Sequence, residues 1–231
     1  KYNQLAYLQK YFKSKFNLTP VIGAELEFYL TDNINIDILA NKINYQIKFE
    51  KGKNQYEIDF APTSDLITIA QEISLTRNVI SNMAKDMGGL ADFRSKPFID
   101  DYGSSMHIHL NFLEDNNIDK YAQILCSQLE QYLNYFLPTQ EDYARLDSNF
   151  MAPTHISWGG NNRSVLIRIP DSMPKRIEHR LASSNADPAL VIFAIIDGIK
   201  NGLENNNEIK YLPKTYGNAH DPQYNLQKII R

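Results

Sequence analysis

The sequence predicts an α+β domain: a curved, mostly antiparallel sheet with helices on its outer face. Three observations predict it. Apolar and polar residues alternate over 21–30, 43–50, 55–60 and 105–112, the period of a strand with two unlike faces. Apolar residues recur at helical spacing over 65–87, 119–137 and 187–203. Turn-forming clusters separate these runs, among them Lys51-Gly52-Lys53-Asn54, Gly88-Gly89 and Gly159-Gly160-Asn161-Asn162. No repeat or linker interrupts the pattern. The expectation is therefore one domain over 1–231, with its core at about 20–203 and a polar tail at 204–231.

Taken in order, residues 2–16 place Leu5, Leu8, Phe12 and Phe16 on one helical face, and Thr19-Pro20 stops that helix. Val21–Leu30 reads as a strand, with Glu25 and Glu27 on one side and Ala24, Leu26 and Phe28 on the other. Residues 32–41 are polar and turn-like. Strands at 43–50 and 55–60 form a hairpin whose polar face carries Glu50 and Glu57. Ser64 or Asp65 caps the helix at 65–87, and Gly88-Gly89 ends it. Leu90–Arg94 is a short strand, and Ser105–Phe112 a longer one that turns His107, His109 and Asn111 away from Met106, Ile108 and Leu110. The helix at 119–137 stops at Pro138, and a short helical piece reaches Arg145. His155–Trp158 and Arg163–Pro170 read as strands around the Gly-Gly-Asn-Asn turn. Arg176–Leu181 is another strand, with Arg176, Glu178 and Arg180 on one face.

Composition excludes several classes of function. A net charge of −3 and 43% hydrophobic residues give no electrostatic basis for nucleic-acid or membrane partners. No apolar run approaches the ~18–20 residues of a membrane span. The single Cys126 excludes an intramolecular disulfide and fits a reducing compartment, so the cytoplasm is the expected location.

The polar face of the predicted sheet carries the chemistry. Taken singly, a glutamate or arginine there is a solvated surface charge more often than not. Here Glu25, Glu27, Glu50, Glu57, His107 and Glu178 recur on strand after strand, joined by Arg163, Arg168, Arg176 and Arg180. Five carboxylates in one basin repel one another, and two divalent cations would nearly neutralise them. A carboxylate-rich donor set with one imidazole suits Mg²⁺ or Mn²⁺ rather than zinc. Arginines nearby suit phosphate oxygens, and metal plus arginine points to phosphoryl transfer.

The residues also carry a family resemblance. Gly23-Ala24-Glu25-Leu26-Glu27-Phe28, Glu50 with Gln55-Tyr56-Glu57-Ile58, Lys96-Pro97, and Gly103-Ser104-Ser105-Met106-His107-Ile108-His109 are its first four motifs. Trp158 through Pro170 and Arg176-Ile177-Glu178-His179-Arg180 complete it. In this order they resemble the successive motifs of the glutamine synthetase catalytic domain, over about residues 20 to 203. The resemblance implies ATP-dependent transfer of the γ-phosphoryl group to the side-chain carboxylate of glutamate or a similar substrate, and amide formation with an amine. It implies Glu27, Glu50 and Glu57 as ligands of one metal, and Glu25, His107 and Glu178 as ligands of a second. Arg145 and Arg180 match the substrate-binding arginines, and Gly103 a glycine beside the substrate. Arg163, Arg168 and Arg176 match residues that hold the ATP phosphates and the transferring group. His109, with Asn111, falls on the nucleotide side.

The sequence departs from the family pattern at the ammonium end. Met151 stands where the family has a flap glutamate, and Tyr102 where it has an asparagine. Only about twenty residues separate Glu27 from Glu50, where the family carries a longer, tyrosine-bearing segment. The family's N-terminal β-grasp domain is expected to be missing, so a homo-oligomer or a separate chain supplying that domain is the expected partner. Decay without selection would erode all parts alike, yet every metal ligand is present. The leading expectation is therefore an active ligase whose amine acceptor is not ammonia. A silent or split relative acting as a nucleotide-binding subunit is the second, and a guanidino-type phosphotransferase, which shares the general sheet architecture, is the third.

Overall fold

The computed structural model describes residues 1–43, 45–205 and 209–229. Strand β1 (Pro20–Leu30) is the spine of a mixed, mostly antiparallel sheet of eight strands. The others are β2 (Ile47–Phe49), β3 (Gln55–Thr63), β4 (Ala91–Asp92), β5 (Met106–Phe112), β6 (Trp158–Gly159), β7 (Ile167–Arg168) and β8 (Ile177–His179). Their order is β2-β3-β1-β5-β8-β7-β6, and β4 also pairs with β1. Helices are α1 (Tyr2–Tyr11), α2 (Ile36–Ile43), α3 (Leu66–Asp86), α4 (Ile118–Phe136) and α5 (Pro188–Glu204).

Alternation along the strands creates two unlike faces. Ile22, Leu26 and Phe28 of β1, Ile58 of β3, and Ile108 and Leu110 of β5 are buried in the core with apolar residues of α3, α4 and α5. Helix α5 packs against both α3 and α4, and α1 lies against α3 and α5. The Asp65 carboxylate caps α3 by accepting from the Ile67 and Thr68 amides, and Asp187 caps α5 through Ala189 and Leu190. All helical layers thus lie on the aliphatic side, which leaves the acidic side of the sheet open.

The structure corrects several sequence expectations. Residues 32–41, expected to be turn-like, belong to α2 from Ile36 onward, because Ile36, Leu39 and Ile43 meet the core and Asn35 accepts the Ile38 amide. The expected strand at 43–50 shrinks to β2; Asn44 lies outside the described residues. The helix at 2–16 changes to π-type hydrogen bonding over Phe12–Phe16 and closes on Asn17 in the left-handed region. The strands expected at 155–158 and 163–170 shrink to β6 and β7, which run parallel. His155 bridges instead to Lys228. The C-terminal segment includes a short 3₁₀ turn at Pro222–Tyr224.

Candidate active site

Cross-strand register, rather than any one motif, assembles the site. Glu27 of β1 stands directly opposite Glu57 of β3, and Glu25 opposite both Asp59 of β3 and His107 of β5. His109 of β5 faces Glu178 of β8, which in turn faces Arg168 of β7. Directly opposed residues lie close enough for their side chains to interact. Five adjacent strands therefore pool their polar groups in one basin.

Glu25 is gripped by two imidazoles: its oxygens lie 3.0 Å from His107 Nδ1 and 3.0 Å from His109 Nε2. Burial pushes its carboxyl upward, but the hydrogen bond with His107 and the close approach of the His109 imidazole outweigh that and hold it well below the usual carboxylate range. Glu57 has only the Lys48 ammonium, 3.9 Å away, among the described residues to offset its neighbours. Burial, and the charges of Glu25, Glu27 and Glu50, push it up to about 9. Glu50 is raised too, by burial and by Glu27. Among the described residues, Glu25, Glu57 and His107 bring ligand atoms within 4.8 Å of one another. A raised carboxyl beside other acids marks a charge deficit that a hard divalent cation would relieve, and this oxygen-rich donor set fits one.

The other expected ligands are engaged differently. Glu178, 1% exposed, gives one oxygen to Arg168 Nη1 at 2.6 Å and the other to Arg180 Nη1 at 2.5 Å, with His107 Nδ1 3.8 Å away. Its carboxyl is lowered, because the charges of His107, Arg180 and Arg168 outweigh its burial. Glu27 accepts from the Ser105 amide at 2.7 Å. Lys48 of β2 pairs with Asp59 and lies 3.9 Å from Glu57.

The expected substrate arginines meet in a tight pocket of about 50 Å³ that Glu27, Glu50, Gly103, Arg145, Arg163 and Arg180 line. Arg145 is 2% exposed, donates to Leu181 O at 2.7 Å and bonds Ser105 Oγ. Burial pulls its guanidinium down to about 10. The Nε–H groups of Arg145 and Arg180 are buried with no hydrogen-bond partner among the described residues, a donor pair suited to an anionic ligand. Gly103 is forced here: a Cβ would meet Ser95 O at 2.7 Å and Arg145 Cβ at 2.9 Å.

A larger cavity of about 470 Å³ opens beside it, lined by Gly23, Phe60, His109, Asn111, Pro174 and Arg176 among others. Arg176 donates its Nε–H to His109 Nδ1 at 2.8 Å. The three arginines grouped by sequence are thus spread out: Arg163 borders the tight pocket, Arg168 clamps Glu178, and Arg176 belongs to the larger cavity.

Tyr102 and Met151 both border the tight pocket, together with Phe150 and Lys51. Tyr102 meets Phe150 edge to face at 5.3 Å. Lys96 Nζ lies 3.6 Å from the Phe150 centroid, and Lys51 Nζ 5.7 Å from that of Tyr102. The aromatic faces at this end are therefore already covered by the chain's own cations. Met151 itself has a φ of 60°, an uncommon conformation for a non-glycine residue.

Sequence reasoning missed Ser105, which ties Glu27 to Arg145, and Gln55, whose amide donates to Gly103 O at 2.9 Å. It also missed Lys48, although alternation already placed that residue on the polar face of β2. No pattern in the chain announces Ser105, because its role depends on a backbone amide.

Comparison with known proteins adds an independent line. Residues 39–229 match the family model described as glutamine synthetase, catalytic domain. The chain is 30% identical over 186 residues to gamma-glutamylputrescine synthetase PuuA of Escherichia coli K12, covering 74% of this chain and 39% of that protein. It is 34% identical over 179 residues to the glutamine synthetase of Sulfolobus acidocaldarius, covering 65% of this chain and 37% of that one. The chain thus spans about two fifths of the length of these curated relatives. Among solved structures, a GmaS/ADP complex superposes with a TM-score of 0.80 at 19% identity, covering 98% of this chain and 64% of that one. The cryo-EM glutamine synthetase of Plasmodium falciparum gives 0.78 at 18%, covering 95% and 58%. At such identities the structural likeness speaks for the fold alone.

Proposed function

Because this chain belongs to the glutamine synthetase family through its catalytic domain, we propose that it is an ATP-dependent ligase joining glutamate, or a similar carboxylate, to an amine other than ammonia. A substrate carboxylate oxygen attacks the γ-phosphorus of ATP, and ADP leaves. The amine nitrogen then attacks the acyl carbon, inorganic phosphate departs, and the amine gives up a proton. Overall a carboxylate, an ammonium and ATP become an amide, ADP, phosphate and a proton.

Arg145 and Arg180 orient the carboxylate substrate through their unpartnered Nε–H groups beside Gly103. Arg163 and Arg168 stabilise the phosphoryl group in transfer, and His109, Asn111 and Arg176 receive the nucleotide in the larger cavity. The family uses ATP with divalent metal ions, and here Glu27, Glu50 and Glu57 would hold one ion and Glu25, His107 and Glu178 another. Held there, such ions would supply positive charge against the phosphate oxygens.

The observation that carries this reading is the convergence of Glu25, Glu57 and His107 within 4.8 Å on three adjacent strands. Isothermal titration with Mn²⁺, and then with a non-hydrolysable ATP analogue, tests it. Binding that is lost in Glu27→Ala combined with Glu178→Ala supports a working nucleotide site. A folded chain that binds neither ligand would refute it.

Met151 at the pocket rim favours a second reading, a nucleotide-binding relative without turnover of its own, since a thioether cannot take up the amine's proton. That reading requires nucleotide binding without ADP release until another chain of the same enzyme is added.

A further inference from the structure

The C-terminal segment, left without a role by the sequence, is bonded to the turn that carries Arg163. Trp158 donates its indole N–H to Leu212 O at 2.7 Å, and the Thr215 amide donates to Trp158 O at 2.9 Å. A Cβ on Gly159 would meet Thr215 O at 2.6 Å, so the two backbones touch. Asn162 is the node between them. Its amide donates to Gly217 O at 2.7 Å and Thr215 O at 3.3 Å, while its oxygen accepts from Ser164 N at 3.0 Å and Ser164 Oγ at 2.7 Å. The Ala219 amide closes the circuit by donating to Ser164 Oγ at 2.9 Å. Thr215 and Ala219 are each 1% exposed. Further along, Gln227 O accepts from the Ile156 amide and Thr154 O from the Ile229 amide, which pins the far end.

The same turn faces the basin. Asn161, one residue before Asn162, accepts from Arg168 Nε at 3.1 Å and from its Nη2, while Arg168 Nη1 clamps Glu178. Arg163, one residue after, borders the tight pocket. Every hydrogen-bonding group of the Asn162 side chain is thus committed to the tail or to Ser164, between two residues that serve the site.

We infer that residues 212–219 are a strap that acts through Asn162, a positioning residue, to hold Arg163 and Arg168 toward the phosphate-binding side of the basin. The assignment of that side rests on the proposed function. Arginine side chains lose rotamers when they bind an anion, and a turn fixed from behind removes part of that cost beforehand.

The chain contains one tryptophan, Trp158, and it lies against the strap, so its emission reports the seating. Asn162→Asp is nearly isosteric and keeps the oxygen facing Ser164, but it sets a carboxylate oxygen against the carbonyls of Thr215 and Gly217. The variant is compared with the wild type by three measurements. The first is Trp158 emission with acrylamide quenching, the second titration with Mn²⁺ and then a non-hydrolysable ATP analogue, and the third the ¹⁵N-arginine Nε–H spectrum, where Arg168 bonded to Asn161 gives a protected signal. Tyr224→Phe, which removes the hydroxyl that the Gly217 amide donates to at 2.7 Å, is the milder second variant.

The expected result for Asn162→Asp is red-shifted, more quenchable emission, loss of the protected Arg168 signal, and analogue affinity lower by about tenfold, as for one charge-assisted hydrogen bond, with Mn²⁺ affinity unchanged. Tyr224→Phe should shift the same readouts by less. Released emission with an intact Arg168 signal would overturn the inference, as would unaltered emission. If the wild type binds no analogue, the proposed function fails, while the Arg168 signal still decides whether the strap positions the turn.

Discussion

Arg168 and Glu178 stand directly opposite each other on β7 and β8, with Nη1 2.6 Å from Oε2 in a site where Glu178 is 1% exposed. Arg180 meets the second oxygen, so each carboxylate oxygen faces one guanidinium group and keeps a further lone pair. Glu178→Gln would keep the shape and leave the buried Arg180 and the half-buried Arg168 short of a partner. Breaking a buried pair from one side costs about 3–5 kcal/mol. A drop of several degrees in melting temperature is expected, larger than for Arg168→Ala, which leaves Glu178 its bond to Arg180. Thermal denaturation of both variants checks the order.

Gly103→Ala should destabilise by about 1–3 kcal/mol, because the added methyl meets backbone at Ser95 and the Cβ of Arg145, neither of which is a flexible tip. The same shift moves Arg145 and should weaken glutamate binding. Urea unfolding measures the first effect and calorimetric titration with glutamate the second; wild-type values in both would contradict the close-packing account.

Metal-free protein should lose stability as pH rises. Glu57 sits at about 9, above its ordinary 4.5, so the folded state favours the protonated carboxyl. That contribution is complete below pH 4.5 and is lost as pH climbs through 9. Melting temperatures between pH 5 and 9 should therefore decline, and Glu57→Gln or added Mn²⁺ should flatten the slope. A decline equally steep in Glu57→Gln would place its cause elsewhere.

His179 gives the opposite pH dependence. It lies on the core side of β8, stacked on Phe136 at 4.3 Å between ring centroids, and burial pushes it down to about 3. Its neutral form is folded in, so its contribution is full above pH 6.5 and lost as pH falls toward 3, at up to roughly 1.4 kcal/mol per unit. His179→Phe should shift the acid unfolding midpoint to lower pH, read by far-UV circular dichroism.

Met151→Glu should restore a proton acceptor at the rim of the tight pocket. Relative kcat/KM should move toward ammonia and away from larger amines across an acceptor panel. Wild-type protein that already prefers ammonia would defeat the proposed acceptor class.

Much of this was legible from the chain because strands alternate strictly. Placing Glu25, Glu27, Glu57, His107 and Glu178 on one face needed only the period of two, and the core positions Leu26, Ile58 and Ile108 followed from the same count. Which residue meets which did not follow, since register depends on pairing partners far apart in sequence. Glu57 therefore meets Glu25 and His107 within 4.8 Å, across the two ligand sets that the family resemblance implies. Helix α2 was hidden because it is short and follows the polar Thr31-Asp32-Asn33 and Asn35, while Leu39 and the Asn35 cap decided the matter locally. The bonds of the tail were hidden for a different reason: they run through backbone carbonyls at Leu212, Thr215 and Gly217, which no side-chain pattern displays.

The one-to-one opposition of Glu27 with Glu57, Glu25 with His107, and His109 with Glu178 has a consequence for quality control. Sliding any of these strands by one residue would turn its acids into the aliphatic layer and its isoleucines into water. A molecule threaded one residue out of register could not hide as a stable but inactive form, because the error that scatters the basin also ruins the core. Correct threading and a formed basin are thus read from the same ladder of pairs, and the site serves as a proofreading mark for the sheet that bears it.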